Sequence, residues 1–168
     1  MTPAIGIDVG GVIIDKERND NSDTSLFGEN YLNALAVPGA MDAIAKLNAG
    51  VFKDSVWIVS KCGPHIEQRT REWLGHHELL KRTGVPTERL RFCRDRNEKA
   101  PIAKELGLTA FVDDKLEVLH YMYQHVPYRM LFRPSLSEMK RNWGSSANGV
   151  QVWMDWPSLV EWLERKGE

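Results

Sequence analysis

Residues 4–15 read AIGIDVGGVIID. The apolar run from Ile5 to Val9 contains one carboxylate, Asp8, and is broken by Gly10-Gly11. A run this short, bounded by glycine, reads as a buried strand rather than a helix. A second run, Val12 to Ile14, follows at once and predicts one arm of a hairpin. A carboxylate at the tip of a buried strand is the first chemical signal in the chain.

Outward from this stretch, short apolar strands alternate with helical stretches. Strands are predicted at Val56 to Val59, Leu90 to Cys93, Ala110 to Val112, Tyr128 to Phe132 and Val150 to Trp153. Helices are predicted from Pro38-Gly39 to about Asn48, over Ile66 to Leu74, Leu79 to Thr83, Leu116 to Gln124 and Pro157 to Lys166. A further helix has Asn97 as its cap, Pro101 in its first turn and Gly107 just past its end. Residues 16–30 are polar and read as an exposed loop. Strands that alternate with helices predict a parallel sheet covered on both faces, an α/β Rossmann-like architecture of three layers. One domain over residues 1–168 is expected, with 16–37 as a loop or minimal cap insertion.

Composition narrows the function classes. The chain has 168 residues, a net charge of −1, 42% hydrophobic and 27% charged residues. These values exclude bulk disorder and fibrous repeats. No apolar run approaches the roughly 20 residues of a membrane helix, and no signal peptide is visible. Two cysteines, Cys62 and Cys93, are too few for a secreted disulfide scaffold, so a cytoplasmic location is expected. From Lys61 to Glu105 there are 11 basic and 7 acidic residues. That excess suits a phosphate-bearing ligand and is too dilute to argue for nucleic acid.

In parallel sheets, ligands bind at the carboxyl ends of the strands. Asp8, Asp113 and Asp114 are three carboxylates at such ends. Hard cations such as Mg²⁺ take oxygen ligands, often one or two carboxylates plus substrate phosphate. Ser60 can hydrogen-bond a phosphoryl oxygen, and Lys99, at a helix start, can neutralise phosphate charge. The set suits phosphoryl transfer, in which positioning and charge neutralisation dominate. A carboxylate can itself be the nucleophile, forming an aspartyl-phosphate.

Four segments in order carry a family resemblance: IGIDVGGVI at 5–13, WIVSK at 57–61, RNEKAP at 96–101 and AFVDDK at 110–115. Together they resemble the four motifs of the haloacid dehalogenase superfamily. The resemblance implies Asp8 as nucleophile and Mg²⁺ ligand. It implies the Gly10 carbonyl and Asp113 or Asp114 as further ligands. Ser60 would hold the phosphoryl group and Lys99 would position Asp8. Gly11 to Asp15 would form the turn and hairpin that open and close the site, with Gly10, Gly11, Ser60 and Lys61 beside the substrate. With so short a segment before the next helix, the site is expected to be open to a phosphorylated small molecule or a phosphoprotein. GIDVGG also resembles the first phosphate loop of actin-like sugar kinases, but those need two such domains and longer chains.

One position departs from the phosphatase pattern. The phosphatases of the superfamily carry a second Asp two residues after the nucleophile, and here that position is Gly10. General acid–base catalysis is typically worth about 10²–10⁴-fold. Asp15, His65 and Glu117 are the candidate substitutes. Two expectations follow. One is a Mg²⁺-dependent phosphatase-type hydrolase acting through Asp8, with weakened or relocated acid–base function. The other is a catalytically impaired domain that binds a phosphorylated ligand or partner protein. Outside these motifs, Cys62 and Cys93 read as indifferent buried thiols, Arg94 and Arg96 as exposed loop charges, His76-His77 as surface, and Trp153, Trp156 and Trp162 as core packing.

Overall fold

Apolar side chains on consecutive positions need partners on both faces of a sheet, and each predicted strand finds them. The computed structural model describes residues 2–16, 26–140 and 147–167. Six strands are present: β1 (Ile5–Ile7), β2 (Val56–Lys61), β3 (Leu90–Cys93), β4 (Ala110–Asp113), β5 (Tyr128–Phe132) and β6 (Val150–Trp153). All pair in parallel, in the order β3-β2-β1-β4-β5-β6. Seven helices join the described strands: α1 (Ala40–Ala49), α2 (Pro64–His76), α3 (Leu79–Thr83), α4 (Lys99–Glu105), α5 (Leu116–Tyr121), α6 (Leu136–Met139) and α7 (Trp156–Lys166). Among the described residues, no helix is long and apolar enough to cross a membrane.

The sheet divides the core in two. Ile5, Ile7, Val56, Ile58, Val112 and Phe132 face a cluster built with α1, α2, α3 and α7. Val59, Phe111 and Leu131 face the other side, against α4 and α5. Alternate residues of one strand thus enter opposite layers, as the pleat requires. This is the α/β Rossmann-like architecture the alternating pattern predicts. Gly6 makes the second layer possible, because a Cβ there would lie 2.5 Å from a Phe111 ring carbon.

Strand order decides where the site lies. From β1 the chain proceeds through β2 to the edge strand β3, then returns to place β4 on the opposite flank of β1. The carboxyl ends of β1 and β4 therefore flank a topological switch point, where such sheets bind ligands. Ile7 is in register with Val112, so the next residues, Asp8 and Asp113, lie side by side. Asp8 N donates to the Val112 carbonyl at 3.0 Å.

The segment after β1 differs from expectation. Val12 to Ile14 is not a strand arm running back along β1. It is a tight turn in which Ile13 N and Ile14 N both donate to the Val9 carbonyl, at 2.8 and 3.0 Å. Three consecutive buried side chains can be accommodated by a turn as well as by a strand, and here all three enter the core. The turn then pairs with a later segment, Val37 N donating to Ile13 O at 2.7 Å and Asp15 N to Leu35 O at 2.8 Å. The indole of Trp156 in α7 fixes it from below, donating to Val12 O at 2.9 Å. Trp153 and Trp162 meet at 5.8 Å between ring centroids, so the late tryptophans serve packing. Asn97 is not the helix cap. It lies inside a 3₁₀ turn, Arg96–Glu98, whose Glu98 carboxylate accepts from Asp95 N at 2.8 Å. Of the expected 16–37 insertion, residues 17–25 lie outside the described residues, and Tyr31–Asn33 forms a 3₁₀ turn.

Replacing Gly6 with Ala drives a methyl group into Phe111 and Leu108. Overpacking of this kind costs about 1–3 kcal/mol. Urea unfolding of Gly6→Ala should show a lower midpoint with an unchanged slope, and an unchanged midpoint would refute this account of the layer.

Candidate active site

Asp8 sits where β1 ends and the turn begins, and its carboxylate is buried. Asp113 closes β4, and Asp114 follows it; both are buried. One oxygen from each of these three carboxylates lies within 4.8 Å of the others. Lys99, the first residue of α4, reaches between two of them, with Nζ 2.9 Å from Asp8 Oδ1 and 2.8 Å from Asp113 Oδ2. Lys16, just after the turn, donates to Asp114 Oδ2 at 2.6 Å. Three carboxylates thus share two ammonium groups, which leaves the cluster one negative charge in excess when all three are ionised.

The environment opposes ionisation of this cluster. Burial raises the carboxyl of Asp8, Lys99 pulls it back down, and the charge of Asp114 raises it again. Burial and the neighbouring Asp8 push Asp113 up to about 6 despite the opposing pull of Lys99. Asp114 is raised by burial and by Asp113, with Lys16 opposing. Burial alone would lower Lys99, but Asp113 and Asp8 outweigh it and hold the lysine above its ordinary value. A set of hard oxygen donors with surplus negative charge is what a small divalent cation such as Mg²⁺ requires.

The candidate residues of the four motifs, Gly11 excepted, meet in one cleft. Its lining includes Asp8, Gly10, Ser60, Lys61, Lys99, Asp113 and Asp114, around a volume of about 310 Å³. Ser60 is buried at the end of β2, while Lys61 is exposed at the mouth. Gly11 is not a cleft-lining residue but sets the turn's geometry. Its φ is +80°, and a Cβ there would lie 2.7 Å from Asp114 Oδ2, so glycine is required on both counts. Gly10 is different. It has no positive φ, and the nearest atom to a Cβ would be Lys16 Cε, at 3.4 Å. Nothing in the backbone or packing demands glycine at position 10.

The candidate acid–base substitutes do not line the cleft. Asp15 faces Arg133 at 3.8 Å, and Glu117 accepts from Arg96 at 2.7 Å and from the Tyr121 hydroxyl at 3.0 Å. His65 is exposed on the first turn of α2. Arg94 joins Glu67 at 3.0 Å outside the cleft, whereas Arg96 does line it. Cys62 and Cys93 are buried, and burial pushes the Cys93 thiol up to about 11, which keeps it protonated. The motif reading missed Lys16 and Phe27, which come from the stretch read as an exposed loop and line the cleft.

Three solved structures share this fold. D,D-heptose 1,7-bisphosphate phosphatase from B. bronchiseptica, complexed with magnesium and phosphate, aligns with a TM-score of 0.65 and 17% identity over 98% of this chain and 99% of its own. The D,D-heptose 1,7-bisphosphate phosphatase from Burkholderia thailandensis gives 0.59 and 16%, over 95% and 96% of the two chains. A protein described as a haloacid dehalogenase-like hydrolase, from Burkholderia xenovorans LB400, gives 0.62 and 13%, over 94% of each. At these identities the likeness is one of fold. No protein-family profile and no curated protein sequence matches the chain significantly.

Asp113 stays protonated in the folded chain up to about pH 6, above the ordinary carboxyl value of 3.8. Its contribution to metal-free stability is therefore full below that ordinary value and is lost as pH rises through about 6. A bound Mg²⁺ would favour the ionised form, so its effect would run the other way. Melting curves with and without excess Mg²⁺ should coincide in acid and separate as pH rises through that window. An equal Mg²⁺ effect at acid and neutral pH would contradict the assignment.

Proposed function

We propose that the chain is a Mg²⁺-dependent hydrolase of the phosphatase type, with Asp8 as the nucleophile. The observation that supports it best is the Asp8–Lys99–Asp113 arrangement. Lys99 holds one oxygen of Asp8 at 2.9 Å, which orients the carboxylate and keeps a cation beside it. Asp8, Asp113 and Asp114 would hold the ion, with the Gly10 carbonyl. The ion would offset the charge of a phosphoryl group and help to orient it. Ser60 would donate to a phosphoryl oxygen. Lys16, Lys61 and Arg96 around the cleft favour a phosphorylated small molecule.

The covalent step has a simple balance. An oxygen of Asp8 bonds to phosphorus while the bond to the leaving oxygen breaks. Water then attacks phosphorus, the acyl phosphate bond breaks, and the Asp8 carboxylate returns with release of inorganic phosphate. The relatives in this fold include two sugar bisphosphate phosphatases, one complexed with magnesium and phosphate. That is consistent with this chemistry and leaves the substrate of this chain open.

A second reading has its own support. Position 10 lacks the usual acid, and Asp15, His65 and Glu117 all lie outside the cleft lining. A domain that binds a phosphorylated ligand or partner protein without turning it over would look the same.

Rapid mixing with an activated aryl phosphate and Mg²⁺ separates the two. The hydrolase reading expects product from the wild type and none from Asp8→Asn. A burst of one product per site followed by slow turnover would locate the deficit in the second step. No product from either protein would leave the binding reading. Because position 10 has room for a side chain, Gly10→Asp is expected to raise steady turnover roughly 10²–10⁴-fold. An unchanged rate in Gly10→Asp would contradict the view that only the proton shuttle is missing.

A further inference from the structure

The cleft lining holds two kinds of side chain. Lys16, Lys61 and Arg96 are cationic, while Leu26, Phe27 and Ile66 are apolar. Phe27 is the one aromatic lining residue among the described residues, and it is 74% exposed. A single exposed apolar side chain is ordinary. What sets Phe27 apart is how firmly its backbone is held.

Arg69 of α2 donates through Nη1 to the carbonyls on both sides of it, Leu26 O at 2.9 Å and Gly28 O at 2.7 Å. The same guanidinium lies 4.5 Å over the Tyr31 ring, and the Tyr31 hydroxyl donates to Glu72. Trp73 Nε1 donates to Ala34 O at 2.9 Å, and His77 Nε2 lies 2.8 Å from Leu32 O. Four side chains on α2 or directly after it therefore fasten residues 26–34 to the protein. Fixing a loop in this way removes the entropy cost of ordering it when a ligand binds. The result is a phenyl ring carried on a fixed stretch of backbone beside the cleft.

We infer that Phe27 is a specificity-determining residue, a platform on which the planar aromatic leaving group of an aryl phosphate lies. The inference rests on Asp8 being the phosphoryl acceptor. Two independent features converge on the same substrate class. Aromatic faces attract one another in offset or edge-on contact, and a cleft of about 310 Å³ suits a phosphate with a single ring. The second feature is Gly10. An aryloxide departs without a proton donor, whereas an alkoxide does not. As Asp8 bonds to phosphorus, the bond from phosphorus to the aryl oxygen breaks. The aryloxide leaves with the electron pair and takes its proton from solvent.

The test compares two non-hydrolysable probes, phenylphosphonate and methylphosphonate, by calorimetry in the presence of Mg²⁺. The wild type should prefer the phenyl compound, and Phe27→Ala should reduce that preference about three- to tenfold. Methylphosphonate binding should be unchanged in Phe27→Ala, and Phe27→Trp should keep the preference. Arg69→Ala should lower the same ratio by letting the ring wander. An unaltered phenyl-to-methyl ratio in Phe27→Ala overturns the inference while leaving the phosphate site intact. If neither probe nor inorganic phosphate binds the wild type, the Asp8 reading fails and the inference fails with it. Phe27 is exposed, so its variants are not expected to unfold.

Discussion

One ammonium group, Lys99 Nζ, sits between two buried carboxylates and makes the rest of the cleft possible. Asp8 and Asp113 end adjacent strands, so the sheet forces their charges together. Without a cation between them, one would have to take up a proton or the strand ends would separate. A buried charge that loses its partner is destabilising on the order of 3–5 kcal/mol. Lys99 supplies the cation from a helix that packs on the opposite layer from α1 and α7. Its ammonium also lies 5.7 Å from the Phe111 ring centroid, above the residue that Gly6 admits. A missing side chain at Gly6, a ring at Phe111 and a charge at Lys99 thus form one continuous arrangement. It converts a sheet edge with too much negative charge into a site that still wants one more positive ion.

Much of this was legible in the sequence, and the reasons are local. Asp8, Ser60, Asp113 and Asp114 stand at the ends of apolar runs, and a parallel sheet gathers its strand ends on one side. Lys99 was legible because it stands at the start of a predicted helix that follows the third strand. The turn at Val12 to Ile14 was misread because three buried residues in a row satisfy a strand and a core-facing turn equally. Lys16 and Phe27 were not legible. Both lie within a polar stretch with no periodicity, and what aims them comes from far along the chain. Phe27 is held by Arg69, more than forty residues away in sequence, and no pattern within the loop announces it.

Gly10 separates two properties that usually travel together. The scaffold that gathers the carboxylates is complete, yet the position from which a proton would be delivered holds no side chain. Neither strain nor crowding accounts for the glycine, since the space is closed only by the flexible stem of Lys16. On the proposed hydrolase reading, the cluster is kept while the usual proton shuttle is absent, at a position with no positive φ and room for a Cβ.

The Trp156 indole and the Val12 carbonyl join positions 144 residues apart in sequence. The turn that shapes Asp8 and Gly11 is thus underpinned by a helix that leaves a ribosome after all six strands of the sheet. β1, β2 and β4, with the carboxylates at the ends of β1 and β4, all precede α7 in the chain. Until then the floor beneath the turn is open, and Val12 O has no indole to accept from. Support of the cleft in this sense waits for α7, so a chain made only as far as β6 carries its chemical groups without the prop beneath the turn.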